Sequence, residues 1–142
     1  MKKIIIFIGL LGILLVFSQC QKEDMYARFY PEILFMKPVV ASGGSQNWAV
    51  DPDLKEVNLS NEESEYLLKA RISAPNKLAQ IQLINVTKGN TVLQTITDFE
   101  SNSNVRFIEL QIMDISTTTS ISVQATDLKG NVTKRVFTIL KN

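Results

Sequence analysis

Few residues of this chain could carry out chemistry, because its 142 residues include no histidine and a single cysteine, Cys20. The lack of histidine removes the Ser-His-Asp and Cys-His nucleophile systems, histidine-ligated zinc and the usual general base near neutral pH. A single cysteine also excludes an intrachain disulfide. We therefore predict no catalytic residues, no metal site and no cofactor, and we expect that the protein is not an enzyme.

Cys20 lies at the end of a segment with a pattern of its own. Lys2 and Lys3 precede an apolar run over residues 4–17. A basic start and an apolar stretch of about 7–15 residues are typical of a secretory signal. The run is shorter than the ~20 apolar residues that span a bilayer. The segment predicts export, and an uncleaved membrane anchor is the alternative.

The sequence Phe17-Ser18-Gln19-Cys20 resembles the lipobox of bacterial lipoproteins, although Leu is commoner at its first position and Gly or Ala before the cysteine. The resemblance implies that Cys20 receives a thioether-linked diacylglycerol, that residues 1–19 are removed, and that the new amino group is acylated. A thiolate is the nucleophile that such alkylation needs. Two or three acyl chains make a stable anchor at about 0.8 kcal/mol per buried CH₂. An ordinary signal peptide with a coincidental cysteine is the alternative.

The residues after the cysteine carry a second resemblance. Lys22, Glu23 and Asp24 resemble the export signal of surface lipoproteins in glycan-harvesting Gram-negative bacteria. This implies a lipid anchor in the outer membrane, exposure at the cell surface, and a glycan or an outer-membrane protein as partner. An ordinary charged linker is the alternative interpretation.

Length and charge limit the remaining possibilities. Removal of residues 1–19 leaves 142 − 19 = 123 residues, with 13 Lys and Arg against 14 Asp and Glu. This length suits one domain with a real core. The charge balance gives no electrostatic support for a nucleic-acid partner. We predict a tether over residues 20–30 and one domain over residues 31–142.

The single tryptophan marks the candidate ligand site. Trp48 lies within residues 41–61, whose weak pattern predicts a long irregular loop. A tryptophan in a loop can stack on a sugar ring while Gln46, Asn47 and Asp51 bind the hydroxyl groups. Carbohydrate binding is therefore one hypothesis. Packing of Trp48 over one end of the domain is the alternative.

Two groups of acidic residues allow other chemistry, but neither fits it well. The first group could supply oxygen ligands for Ca²⁺, although its spacing matches no EF-hand loop. The second group could supply a pair of glycosidase carboxylates, but such a pair must lie ~5–10 Å apart across a cleft, whereas neighbours on a strand point to opposite faces. The first group is Asp51, Asp53 and Glu56 with Asp127 and Asn131, and the second is Glu62-Glu63-Ser64-Glu65.

The elements that must position these residues are strands. From residue 65 onward apolar and polar residues alternate with period two, which predicts half-buried strands. Residues 87–90 and 127–131 predict tight hairpin turns. Strands are expected over residues 66–73, 78–86, 91–97, 105–113, 120–126 and 132–140, with an edge strand over 32–36 and a short strand near 57–60.

This pattern predicts an all-β fold, an antiparallel immunoglobulin-like β-sandwich of about seven strands. A jelly roll or a small barrel is the alternative. Residues 122–132 resemble the final hairpin of bacterial immunoglobulin-like domains, in which Ala-x-Asp-x-x-Gly-Asn recurs. Such a hairpin indicates fold and not function.

Two functional hypotheses follow. The first is a cell-surface binding module that holds a glycan or docks onto an outer-membrane uptake complex. The second is a structural or adhesion spacer that acts by protein–protein contact through a sheet face or an edge strand. An exposed Trp48 beside a groove would favour the first hypothesis, and a buried Trp48 with an exposed apolar sheet face would favour the second.

Overall fold

The computed structural model describes residues 29–40, 46–99 and 103–142, and within these ranges the chain forms strands, turns and loops without a helix. The predicted all-β class is confirmed. The nine strands of the described residues are β1 (Glu32–Val40), β2 (Gln46–Val50), β3 (Glu56–Leu59), β4 (Tyr66–Ser73), β5 (Leu78–Asn85), β6 (Thr91–Ile96), β7 (Val105–Ile112), β8 (Thr119–Asp127) and β9 (Val132–Lys141).

The strands form two sheets that pack as a sandwich. Sheet A has the order β2-β1-β4-β7, and sheet B has the order β3-β9-β8-β5-β6. Every pairing is antiparallel except that of β3 with β9, which is parallel. Strands β1, β4 and β7 facing β9, β8, β5 and β6 reproduce the immunoglobulin-type division of strands between two sheets. The predicted sandwich is confirmed, with nine strands among the described residues instead of about seven.

Residues 41–61, most of which the sequence predicts as a loop, contain the unpredicted strand β2 and, as β3, the short strand expected near residues 57–60. Strand β2 pairs with the second half of β1, from Met36↔Val50 to Val40↔Gln46. Strand β3 lies parallel to the end of β9. Both strands are too short to show a clear period, so their partners define them more than their own sequence does.

Strand β1 lies inside sheet A, and its predicted place at a sheet edge is wrong. Its first half pairs with β4, from Glu32↔Ser73 to Met36↔Lys69. Its second half pairs with β2 on the other side. Pairing with β4 stops two residues before Pro38, which has no N–H to donate. The proline therefore marks where β1 leaves β4 and not where the strand ends.

The core lies between the two sheets and is centred on aromatic rings. Phe35 and Phe137 have ring centroids 5.0 Å apart at 60°, and Tyr66 stacks on Phe137 at 5.5 Å. Full burial of such a side chain contributes about 1.5–3 kcal/mol. Burial also raises the pKa of the Tyr66 phenol. Aliphatic residues surround the rings, among them Leu68, Ile72, Ile81, Leu83, Ile121, Val123 and Ile139.

Arg135 of β9 connects the two sheets. Its guanidinium carbon lies 5.2 Å from the centroid of the Phe35 ring. Nη1 donates to the carbonyl oxygen of Ile33 at 2.9 Å, and Nη2 donates to the carbonyl oxygens of Pro52 and, at 3.3 Å, Leu54. One side chain thereby holds β1 and the β2–β3 connection against β9.

Asp127 organises the turn between β8 and β9. Its buried carboxylate accepts hydrogen bonds from the backbone N–H of Lys129 (2.9 Å) and Asn131 (2.8 Å) and from the side-chain amides of Asn131 (2.8 Å) and Asn76 (2.9 Å). Burial acts to raise the pKa of this carboxyl. The hydrogen bonds outweigh that effect, so the pKa lies below its ordinary value.

The start of the described chain is fastened to the same turn. The carbonyl oxygen of Phe29 accepts hydrogen bonds from Nδ2 of Asn76 (3.1 Å) and Nδ2 of Asn131 (3.3 Å). We call this end of the sandwich, formed by residues 29–30, 74–77 and 127–131, the tether end. The opposite end carries the start of β4 and the turn after β7.

Candidate functional site

The outward side of sheet A combines apolar and charged side chains. On β4 every second residue is buried in the core (Leu68, Ala70 and Ile72), so the residues between them point outward. The strand registers place residues of β1, β2 and β7 on the same side. We call this surface the contact face, and it consists of Leu34, Met36, Trp48, Leu67, Lys69, Arg71, Phe107 and Glu109.

Arg71 lies in the middle of the contact face between two apolar neighbours. It is opposite Leu34 of β1 on one side and Phe107 of β7 on the other. Phe107 is 60% exposed, whereas Leu34 and Arg71 are half-buried. The side chain of Arg71 has no hydrogen bond or ion pair with another described residue. Its guanidinium is therefore available to a carboxylate of a binding partner.

A row of interacting side chains, Trp48, Lys69 and Glu109, crosses the same face beside Arg71. Nζ of Lys69 lies 4.8 Å from the centroid of the Trp48 ring and 2.5 Å from Oε1 of Glu109. The Lys69 side chain is 17% exposed and that of Glu109 is 62% exposed. A pair with one exposed member adds little stability, but it fixes the Lys69 ammonium over one face of the indole. The cation–π contact contributes about 0.5–1 kcal/mol at such a site.

Trp48 itself is half-buried and lies in β2, at one edge of sheet A. It is opposite Pro38 in β1, and one face of its ring is covered by Lys69. Trp48 is therefore not a core residue. It is part of an exposed sheet face that includes apolar side chains.

Two of the predicted companions of Trp48 do not gather around it. Asn47 and Asp51 occupy alternate positions of the chain, so they lie on the other side of β2. Oδ2 of Asp51 lies 2.7 Å from Nζ of Lys37, and Oδ1 accepts a hydrogen bond from the backbone N–H of Asp53 at 3.0 Å. The bonds from Lys37 and then Asp53 hold the pKa of the Asp51 carboxyl below its ordinary value.

Other residues of the predicted sites lie wholly or partly outside the part of the chain that the structure describes. The backbone of Gln46 pairs with Val40, and its side chain is outside the described part. Carbohydrate binding by Trp48, Gln46, Asn47 and Asp51 stays a prediction. The lipidation site Cys20 and the export signal Lys22, Glu23 and Asp24 are outside the described residues. Their roles also stay predictions.

Several of the candidate acidic residues have structural partners of their own. Asp127 is occupied by internal hydrogen bonds. Glu63 accepts hydrogen bonds from the Ser60 hydroxyl (2.8 Å) and backbone N–H (3.0 Å), which lower the pKa of its carboxyl. Glu65 accepts a hydrogen bond from Gln111 at 3.1 Å. Within residues 29–40, 46–99 and 103–142, no cluster of three or more His, Cys, Asp or Glu side chains could hold a metal ion.

A shallow pocket opens at the tether end. Its volume is about 230 Å³, and its apolar lining includes Leu78, Phe99 and Leu128. Small-molecule sites usually enclose about 300–1,000 Å³ and have convergent polar groups. This pocket is therefore a weaker candidate for ligand binding than the contact face is for protein binding.

The sequence pattern did not single out Arg71 or Phe107, although one signal for the contact face was present. Residues 33–36 are apolar without interruption, and such a run indicates a strand that is covered, or ready to be covered, on both sides. The pattern does not say which strands are neighbours. Only the register of β1, β4 and β7 brings Leu34, Arg71 and Phe107 into one row.

Comparisons with known proteins leave the function open. No helix within the described ranges is long and apolar enough to cross a membrane. No protein-family model matches the chain, and no curated protein matches it. Among solved structures, the chain is similar to the sulfur carrier protein SoxY from Chlorobium limicola f thiosulfatophilum. The identity is 6% and the TM-score 0.43, over 77% of this chain and 78% of that chain. A likeness at this level carries no argument about function.

Proposed function

We propose that the protein is a lipid-anchored, non-catalytic docking module of the bacterial outer membrane. Cys20 carries the anchor, and the contact face binds a protein partner in the same membrane, such as a component of an uptake complex. A structural or adhesion spacer would bind other proteins through the same surface. Both of these hypotheses require a protein-binding surface, whereas a glycan-binding module requires a sugar site.

The observation that supports docking is the composition of the contact face. Met36, Trp48, Arg71 and Phe107 share one side of sheet A. Protein interfaces are enriched in aromatic residues, methionine and arginine, and their energetic centres are enriched in tryptophan and arginine.

The chemistry of the face defines the partner. Arg71 needs a carboxylate, because no described residue of this chain supplies one. Phe107 and Leu34, on either side of it, need apolar side chains. The partner is therefore a protein surface with an Asp or Glu surrounded by apolar groups. Such a charge-assisted hydrogen bond, desolvated by its apolar rim, contributes about 1.5–3 kcal/mol.

The anchor is supported by the sequence of residues 1–24 and by the position of the domain behind it. Phe29, only nine residues after Cys20, is already hydrogen-bonded to the sandwich. An extended tether of this length reaches about 30 Å. The domain is then held close to the membrane, and a partner in the same membrane lies within its reach.

Carbohydrate binding is the second candidate, favoured by the part of the Trp48 ring that is open to solvent. Titration of the full-length protein with a panel of polysaccharides, followed through the emission of Trp48, tests it. A shift or quenching by one polysaccharide would support glycan binding. Emission that is unchanged by every polysaccharide would leave protein docking as the function.

The docking proposal is tested by co-purification from detergent-solubilised outer membranes of the host. Phe107→Asp places a charge on the contact face, and Val136→Asp places one at a 42% exposed position on the opposite side, in sheet B. We expect the wild type and Val136→Asp to retain the same protein and Phe107→Asp to lose it. Equal recovery from all three would contradict docking through the contact face.

A further inference from the structure

The tether end carries a second exposed apolar surface, separate from the contact face. Phe29 is 48% exposed, Tyr30 is 44% exposed and Leu128 is 65% exposed. Leu128 occupies the tip of the β8–β9 turn, where polar residues are usual. Lys129 beside it is also exposed. Two aromatic rings and one leucine are thus presented to solvent close to a cation.

This surface is held in a fixed shape. The backbone N–H of Leu128 donates to the carbonyl oxygen of Lys77 at 3.1 Å. The buried carboxylate of Asp127 accepts hydrogen bonds from Asn76 and Asn131, and the same two amides bind the carbonyl oxygen of Phe29. The aromatic start of the domain and the turn therefore form one unit.

The position of the chain start identifies what this surface meets. The segment between Cys20 and Phe29 spans at most about 30 Å when extended. Strand β4, from Tyr66 to Ser73, separates the two ends of the sandwich by about 25 Å at ~3.4 Å per residue. Because the tether joins the domain at the tether end, an anchor at Cys20 favours contact of this end with the bilayer over contact of the opposite end.

We propose that the tether end rests on the bilayer, with Phe29, Tyr30 and Leu128 in the interfacial region. Aromatic side chains favour the headgroup level, where an apolar ring and a polar group are both satisfied. A lysine near this level binds phosphate groups while its alkyl stem stays in contact with apolar groups. This inference rests on the lipid anchor of the proposed function. It adds an orientation, in which the sandwich stands upright and the contact face points sideways along the membrane.

The test compares tryptophan probes at the two ends of the full-length lipidated protein, in vesicles of phosphatidylethanolamine and phosphatidylglycerol. A Trp48→Phe background removes the native fluorophore. Leu128→Trp places the probe at the tether end, and Met113→Trp places it at a 50% exposed position at the opposite end. Lipids brominated near the headgroup quench a tryptophan that enters the interface.

We expect bromolipids to quench the emission of Leu128→Trp, with a shift to shorter wavelength, and to leave Met113→Trp unchanged. Equal quenching of both probes would show that the domain lies on its side, and quenching of neither would show that the domain stands clear of the bilayer. Either result overturns the inference.

Flotation of the same vesicles shows whether the protein is anchored to them at all. It therefore distinguishes failure of the proposed orientation from failure of the proposed lipid anchor. If the protein floats with the vesicles but the probe at position 128 is not quenched, the lipid anchor is supported and only the proposed orientation is wrong. Protein that stays in the dense fractions lacks the anchor, and the orientation then falls with it.

Discussion

At the scale of single residues, we propose that Arg71 determines what the contact face binds. It lies between Leu34 and Phe107 and has no ionic partner among the described residues. An arginine in this setting contributes little to folding, because its charge is not paired with any described residue. We propose that its contribution is to binding.

The Arg71→Glu substitution should therefore separate binding from stability. We expect the free energy of unfolding to change by less than about 0.5 kcal/mol, as is usual for surface substitutions. Affinity for the partner should fall by about 1.5–3 kcal/mol or more, since a carboxylate would meet a carboxylate. Urea unfolding and binding measurements check the two values. Lys134→Glu, at an exposed position of sheet B, is the control, and an equal loss of affinity there would contradict the assignment.

Asp127 has the opposite role, because it serves the fold. Asp127→Asn keeps the shape of the side chain but turns an amide N–H toward the donors of Asn76 and Asn131. We expect a loss of about 1–3 kcal/mol near neutral pH, measured by urea unfolding. Asp98→Asn, at an exposed loop position, should cost almost nothing. Equal effects of the two substitutions would contradict the role of Asp127.

The lowered pKa of Asp127 predicts how this difference depends on pH. The folded state holds the proton less tightly than the unfolded state, so the carboxylate contributes fully above its ordinary pKa of about 3.9. The contribution is lost as the pH falls through the lower pKa of the folded state. The stability gap between the wild type and Asp127→Asn should therefore narrow in acid. A gap that stays constant down to the acid transition would contradict the assignment.

Single residues could be placed from the sequence where they interact with near neighbours in the chain. The Asp127–Asn131 turn could be predicted because its residues act on one another within a few positions. The place of Trp48 could not be predicted, since it depends on Lys69, which is 21 positions away in sequence. Arg71 and Phe107 were missed for the same reason.

At the scale of elements, the strands from β3 onward were predicted and the short strand β2 was not. The six strands β4 to β9 lie where the sequence predicts them, within one residue at each end. Strands β2 and β3 depend on β1 and β9, which supply their hydrogen bonds. Two prolines in or next to β1 suggested an edge, but the register places this strand between two others.

The turn between β8 and β9 predicts how substitutions of Gly130 affect the free energy of unfolding. Gly130 has φ of +83°, and a Cβ there would meet no atom within 4 Å. Any cost of Gly130→Ala therefore comes from the backbone conformation, at about 1–2 kcal/mol. Gly130→Asn should cost less, because asparagine tolerates this region better. Urea unfolding of the two variants checks the order, and equal costs would contradict this explanation.

At the scale of the whole molecule, the anchor and the contact face should act together. An anchor confines the domain to the membrane that holds its partner, which raises the effective concentration without adding a contact. The contact face can then be small and still be occupied. The sandwich supplies the rigid frame that keeps this face at a fixed angle to the tether end.

The Cys20→Ala substitution in the full-length chain tests this coupling. We expect the protein to lose its covalently bound lipid and its place in the outer membrane, and the complex with its partner to fall sharply in cells. The purified variant should bind the isolated partner in solution with unchanged affinity, because the contact face is intact. Labelled fatty acid that is still incorporated into Cys20→Ala would contradict the anchor, and lost affinity in solution would contradict the separation of the two functions.

The most direct test of docking through the contact face is site-specific photo-crosslinking in the host cell. A photoreactive phenylalanine is placed at Phe107 on the contact face and, as a control, at Val136 on the opposite side of the sandwich. Docking predicts a cross-link from position 107 to one outer-membrane protein and none to that protein from position 136. Cross-linking from position 136 alone, or from neither position, would contradict it.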